Sequence, residues 1–520
     1  MAKSPANSTD QGQHGLRAEA FNTNPPRELP RRRGTELGML GFATVLVTAA
    51  FILVEINQEH DLSLRILWYA LAYMGLLTIA HLGVRYWAPY ADPVILPCVT
   101  LLNGIGIVTI YRIDLAKAAQ AARAGQQYSS QAPTQVLYSA IGLVLFMAVL
   151  RLVSDHRTLT RYGYIAGLVG VVALAIPALL PASMSEANGS KVWIKLGFIS
   201  IQPAEFAKIL LMIFFASFLV SKRELFMAAG KKIVGVELPR GRDLGPILIA
   251  SLACLGVLVL EKDLGMSLLF FGIVLMMIYV ATERAVWVVL GLSMFIVGCL
   301  VAYQLFGHVQ NRVTNWLDPL ATYDDPGGGY QVAQSLFGLA TGGLFGTGLG
   351  NGRPDMVPES QTDFIMSAVG EELGFVGFAV ILLLFLVLGG RGLRSALAAR
   401  DSFGKLLGGG LAFAIVLQVF VIIGGITNLI PMTGITTPFM SGGGSSLLAN
   451  YILVALLLRI SDAARRPARK RESQSEMRPP SQSSIADTAT VHVARPGHGG
   501  DAAGGGDGQH GPGTSTRGNP

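Results

Sequence analysis

The chain has 520 residues, of which 51% are hydrophobic and only 14% charged, with a mean hydropathy of +0.49 and a formal net charge of +7. Those values exclude a soluble globular protein. Apolar runs of about 17 to 25 residues recur along the chain, the length an α-helix needs to cross a bilayer, where a β-barrel would alternate over shorter segments, so the fold class is all-α and membrane-spanning.

Residues 1–34 are polar and carry no short apolar core with a cleavage pattern, so they read as a disordered cytoplasmic N-terminus and the first span as retained. Spans are predicted near 37–55, 64–83, 92–111, 135–153, 162–182, 203–221, 245–261, 265–281, 285–306, 364–389, 405–430 and 446–460, about twelve in all. An even count puts both termini on one side. Arg31 to Arg33, Arg151, Arg157, Arg161, the segments 221–242 and 391–400, and "RRPARKR" at 465–471 fall on that side, which the positive-inside rule makes cytoplasmic. The net charge follows from this topology beside an anionic leaflet, and nucleic-acid binding is not expected. Cys98, Cys254 and Cys299 all lie in predicted spans and are expected to be buried and inert. Residues 462–520 form a second disordered, cytoplasmic tail, whose Ser, Pro, Gly and His content bars a packed core.

Two connections on the opposite side are long. Residues 112–134 are Ala- and Gln-rich, compatible with an interfacial helix, and carry no obvious chemistry. Residues 307–362 hold only Arg312 and Arg353 as Lys or Arg, and a loop of that length usually serves as a lid or binding loop. Its glycine strings "DDPGGGYQ" and "ATGGLFGTGLGNGRP" fit either flexible turns or a backbone cradle for phosphate.

Ionisable groups near membrane depth are expensive and usually face a polar cavity. In "QPAEFAK", Pro203 suits the first helical position, Gln202 the cap and Glu205 the first turn, with Lys208 one turn on; a structural ion pair and a polar site are both open readings. Glu261, Lys262 and Asp263 occupy a tight turn, and Gly265 lets backbones approach. Arg312 reads as an interfacial anchor or a bidentate phosphate contact. In "VPESQTDFIMSAVGEELGF", capping by Ser360 or Thr362 would put Asp363 in a helix's first turn, with Gly370, Gly374 and Gly377 within about 40° of its direction. That bare face admits a packed helix or a long chain. Glu371 and Glu372 diverge too far to line one cavity, so one is expected to pair with a basic group on another helix. Finally, "NLIPMTGITTPFMSGGGSSLLANY" interrupts an apolar run with Pro431, Pro438 and three glycines, which is tolerated in protein, at a cavity or as an external turn.

The runs "NGSKVWIKLGFISIQPAEFAK", "EKDLG", "DPGGGYQVAQS", "VPESQTDFIMSAVGEELGFVG" and "PMTGITTPFMSGGGSSLLANY" resemble, in order and spacing, the SEDS family (shape, elongation, division and sporulation), whose branches include RodA and FtsW; the wording of 352–374 is nearer RodA. The resemblance implies a polytopic bundle with a ten-helix core, here over 91–461; the count of about 12 transmembrane helices departs from that pattern, with residues 35–90 reading as an added N-terminal pair. The resemblance also implies a peptidoglycan glycosyltransferase that polymerises lipid II on the outer face of the cytoplasmic membrane, for elongation or division, with a class B penicillin-binding protein. Asp363 corresponds to the family's essential carboxylate, and Glu205, Lys208 and Asp263 fall on its motifs.

Sugar transfer from a polyprenyl diphosphate needs a base for the attacking hydroxyl and cationic help for the departing diphosphate. Asp363 is the candidate base, and Lys208 and Arg312 are the candidate phosphate contacts. A helix's positive end would weaken Asp363 as a base unless a dry site or a nearby anion raises its pKa. Holding a divalent cation, Mg or Mn, against the diphosphate is the other role open to it. A flippase or transporter of the lipid-linked precursor is the rival reading, because intramembrane acids and broken helices also mark carriers.

Overall fold

The computed structural model describes residues 32–58, 64–187, 190–197, 199–222, 232–233, 236–237, 256, 262–325 and 327–467. In chain order its helices are α1 (Arg33–Asn57), α2 (Leu64–Trp87), α3 (Ile95–Arg123), α4 (Ala132–Leu152), the one-turn α5 (Thr158–Arg161), α6 (Gly163–Leu179), the one-turn α7 (Ala182–Ser185), α8 (Pro203–Ser221), α9 (Leu264–Thr282), α10 (Ala285–Leu305), α11 (Gly307–Leu317), α12 (Tyr330–Gly342), α13 (Ile365–Leu397), α14 (Ser402–Ile426) and α15 (Gly444–Arg465). Among the described residues, ten of these are long and apolar enough to cross a membrane: α1 to α4, α8 to α10 and α13 to α15. The predicted span at 162–182 is present as α6 but too short to count with them, and the one at 245–261 lies outside the described residues, as do both predicted tails apart from their inner edges.

Close approach between helices is made by small residues, because lipid tails give apolar side chains little reason to associate. On α6, Gly163, Gly167 and Gly170 seat Ser217, Phe214 and Leu211 of α8 so tightly that an added Cβ would lie 2.5 to 3.0 Å from them. The central helices α14 and α15 are mostly buried, whereas α10 buries no residue; Cys299, expected to be buried, is exposed on it.

Charge divides the bundle. Where α1 begins and α15 ends, Arg33 donates to the carbonyls of Ala88, Pro89 and Ala91, Arg459 to that of Trp87, and Arg391 and Arg465 face Asp92, while Arg157 pairs with Asp401. The opposite end carries two short hairpins (Glu186–Ala187 with Ser190–Lys191, Ile194–Leu196 with Ile199–Ile201), α11, α12, the turn Pro354–Met356 and the segment 427–443.

The long connection 307–362 carries α11 and α12. Two expectations change here. Residues 112–123 continue α3 rather than forming a separate interfacial helix. And α13, read as one continuous span, is broken at Gly374, whose φ of +68° no helix allows. The freed groups are satisfied from outside: Phe375 and Val376 N–H donate to Gly343 and Leu344 carbonyls, and Glu371 and Glu372 carbonyls accept from Thr347 and Gly348 N–H. Gly370 faces Leu339 and Gly374 abuts Gly346, so the bare face receives α12 and its following turn rather than a lipid chain.

Candidate functional site

Residues 357–364 make a tight turn before α13, with Glu359 at φ +54° and its carbonyl accepting from Thr362 and Phe364 N–H. Phe364 is the helix cap, so Asp363 lies just outside α13 rather than in its first turn, and neither Ser360 nor Thr362 caps it. The strand of backbone leading to Asp363 is clamped by the glycine loop: Gly442 N–H donates to the Gln361 carbonyl at 2.7 Å and Ser441 Oγ to the Thr362 carbonyl at 2.5 Å. A Cβ on Gly442 would stand 3.1 Å from that same Gln361 oxygen, a tight contact that leaves this clamp little room for a side chain. The glycine loop is itself held, by Gln135 on the Ser441 carbonyl and Asn103 on that of Phe439.

Asp363 faces a cavity of about 560 Å³ at the arginine-poor end of the bundle. Asp263 enters it from the start of α9, where it caps the helix by accepting from Met266 N–H at 2.9 Å. Arg312 enters from α11, donating to the carbonyls of Met432 and Thr433 at 3.0 and 3.3 Å. Gly434, at φ +74°, passes beside Asp363. Lys262, Glu359, Trp193 between the two hairpins and Trp316 on α11 complete the polar and aromatic wall, and the buried hydroxyls of Thr433 and Thr436 have no hydrogen-bond partner among the described residues. One cavity thus offers carboxylates, cations, hydroxyls and aromatic faces, the inventory that a charged, sugar-bearing ligand requires.

Burial, then the Glu359 carboxylate and Asp263, raise the Asp363 carboxyl from its ordinary range to about 7, against the downward pull of Arg312. Burial also raises Asp263, to about 6, with the Met266 hydrogen bond and Arg312 opposing it. The weakness expected of a carboxylate at a helix mouth is therefore removed by position and surroundings. Among the described residues, no group of three or more His, Cys, Asp or Glu is placed to hold a metal ion. Mg²⁺ takes one or two carboxylates with phosphate and water, so Asp363 or Asp263 would hold such a cation only together with a bound diphosphate, where it would neutralise charge.

The other expected site residues lie elsewhere. Glu205 and Lys208 are buried under the cavity rather than in its lining, joined at 2.6 Å; Lys208 also reaches Gln418, whose amide supports the Thr436 carbonyl. Both open readings of this pair thus meet in a structural ion pair that carries the cavity wall. Glu372 pairs with Arg112 of α3 at 2.9 Å, and Glu371 accepts from Arg353 N–H, so the expected partner helix is α3. Sequence reasoning passed over Arg112 and Asp114, set in an Ala/Gln-rich segment, and the two tryptophans; a base and an acid two apart, directly after an apolar run, were the available signal.

Comparison with known proteins places these features in context. The family model for cell cycle proteins of the FtsW/RodA/SpoVE type matches residues 92–466. The protein named peptidoglycan glycosyltransferase RodA in Mycobacterium tuberculosis is 54% identical over 447 residues, covering 86% of this chain and 94% of that one. Its namesake in Mycobacterium leprae is 52% identical over the same shares. A chain in the solved structure described as "Structural coordination of polymerization and crosslinking by a peptidoglycan synthase complex" aligns with a TM-score of 0.55 at 25% identity, covering 72% of this chain and 99% of that one.

Proposed function

The chain belongs to the FtsW/RodA/SpoVE family of cell cycle proteins, and from that premise we propose how this multi-pass membrane protein works as a peptidoglycan glycosyltransferase serving cell shape. Its substrate is lipid II, a disaccharide on a polyprenyl diphosphate. The acceptor sugar's hydroxyl oxygen bonds to the donor's anomeric carbon while that carbon's bond to the diphosphate oxygen breaks, inverting the centre. Asp363 takes the hydroxyl proton. Arg312, aided by Lys262, receives the charge gathering on the departing diphosphate. Glu205 and Lys208 hold the wall beneath, and Asp263 sets a second acidic group within electrostatic reach of Arg312. Trp193 and Trp316 offer flat faces to the sugar rings.

The observation that carries this reading is the half-buried carboxyl of Asp363, poised near neutrality, sharing one cavity with a guanidinium. The arginine-rich end of the bundle is cytoplasmic, which puts both termini in the cytosol and the cavity on the outer face of the cytoplasmic membrane. The partner is a class B penicillin-binding protein that crosslinks the strands, within an elongation or division complex.

The test is to give the purified full-length chain and that partner lipid II in detergent and to look for glycan strands by gel. Strands are expected. Their absence, together with lipid II crossing vesicles that contain the chain, would transfer the cavity to a carrier.

A further inference from the structure

We propose that Asp114 is a positioning residue for Asp363, acting through Gln361. Asp114 sits in the second half of α3, 3% exposed, and both its oxygens are fully engaged. Oδ2 accepts from Ser130 Oγ at 2.5 Å, Gln131 N at 2.8 Å and Ala132 N at 2.7 Å. Oδ1 accepts from Tyr128 Oη and Gln361 Nε2, each at 2.7 Å. Four of the five donors are local and would suffice to close the α3–α4 connection. The fifth is 247 residues away and stands two residues before the base.

Gln361 is itself 2% exposed and fixed from two sides. Its side-chain amide is held by Asp114, with Tyr128 and Lys117 near its oxygen, while its backbone carbonyl accepts from Gly442 N–H. The residue therefore joins the α3–α4 connection to the glycine loop, with the chain to Asp363 passing between them. Hydrogen bonds to an ionised acceptor are short and strong, so this anchor is stiff. Stiffness matters here because displacing a catalytic group by about 1 Å costs on the order of 100-fold in rate.

The inference rests on the reading of Asp363 as the base. A reversed pair tests it. Asp114→Asn turns an N–H₂ toward the amide of Gln361, and Gln361→Glu sets a second carboxylate against Asp114; combined, the asparagine amide donates to the glutamate and the contact is restored with opposite polarity. With the full-length chain, its partner transpeptidase and lipid II, each single change should lower kcat about ten-fold or more while KM moves by less than about two-fold, and the double variant should return to within about three-fold of wild type. Single variants within about two-fold of wild type, or a double variant no better than the worse single, would overturn the proposal. Should Asp114→Asn fail to fold, Gln361→Ala decides, since it removes the long-range bond and leaves the four local ones: an unchanged melting temperature with a ten-fold lower kcat supports the anchor, and an unchanged kcat refutes it. An inactive wild type would count against the glycosyltransferase reading and this inference together, whereas active wild type with unaffected variants counts against this inference alone.

Discussion

Replacing Asp363 with Asn is expected to abolish strand formation from lipid II. General-base catalysis contributes about 10² to 10⁴ in rate, and an amide of nearly the same shape cannot accept the proton, so kcat should fall by about 10³ with lipid II still bound. Glutamate keeps the acid but moves it by a methylene, and should retain only a small part of the activity. The same Asn variant should be the more heat-stable protein at about pH 8. The native carboxyl, held at about 7 by burial and Glu359, binds its proton where the unfolded chain's carboxyl has already lost it, so native stability falls as pH rises from about 4 to about 7. An uncharged amide escapes that cost. Lost activity with lost folding would point to a structural role instead; melting curves and strand gels on the same preparations separate the two.

Arg312→Gln is expected to lower kcat by about 10² to 10³, the range for removing one preorganised donor from a developing anion. Arg312→Lys keeps the charge but gives up the planar fork that holds the Met432 and Thr433 carbonyls while facing the cavity, so its recovery should be partial. Arg312 also pulls the Asp363 carboxyl down, so its removal should move the acid limb of the pH–rate profile upward. Equal activity in Arg312→Gln and wild type would remove Arg312 from the leaving-group side.

Much of the architecture was legible because long apolar runs have few other fates. The same signal hid the break in α13: residues on both sides of Gly374 are apolar, and only the neighbouring turn at 343–348, which supplies the missing hydrogen bonds, reveals it. The acids at 371 and 372 looked stranded in lipid because the span was drawn from its polar start. The helical segment after the break, residues 375–397, is about 35 Å long and by itself spans a hydrocarbon core of about 30 Å, so the turns before Gly374 that carry the acids need not enter lipid at all. α3 runs past its apolar part in the same way, which brings Arg112 to Glu372 and Asp114 to Gln361.

At the site, motifs named Asp263 and Asp363, and Arg312 stood out as a lone charge at the membrane border, but their convergence stayed hidden, since these residues come from segments about 50 to 100 positions apart and no periodicity reports tertiary distance. The roles of Glu205 and Lys208 were left open for the same reason: an i, i+3 pair at a helix start looks alike under a cavity and within one. The pKa of Asp363 depends on burial and on Glu359, four residues earlier, turned back by a left-handed residue.

The most direct test of the central claim, that Asp363 is a base poised near neutrality, is kcat/KM for lipid II polymerisation from about pH 5.5 to about pH 8.5. The carboxylate form is the active one, so the rate should fall about ten-fold per pH unit below about 7 and level off above it. A profile flat down to pH 5.5, or one that falls toward alkaline pH, would contradict it.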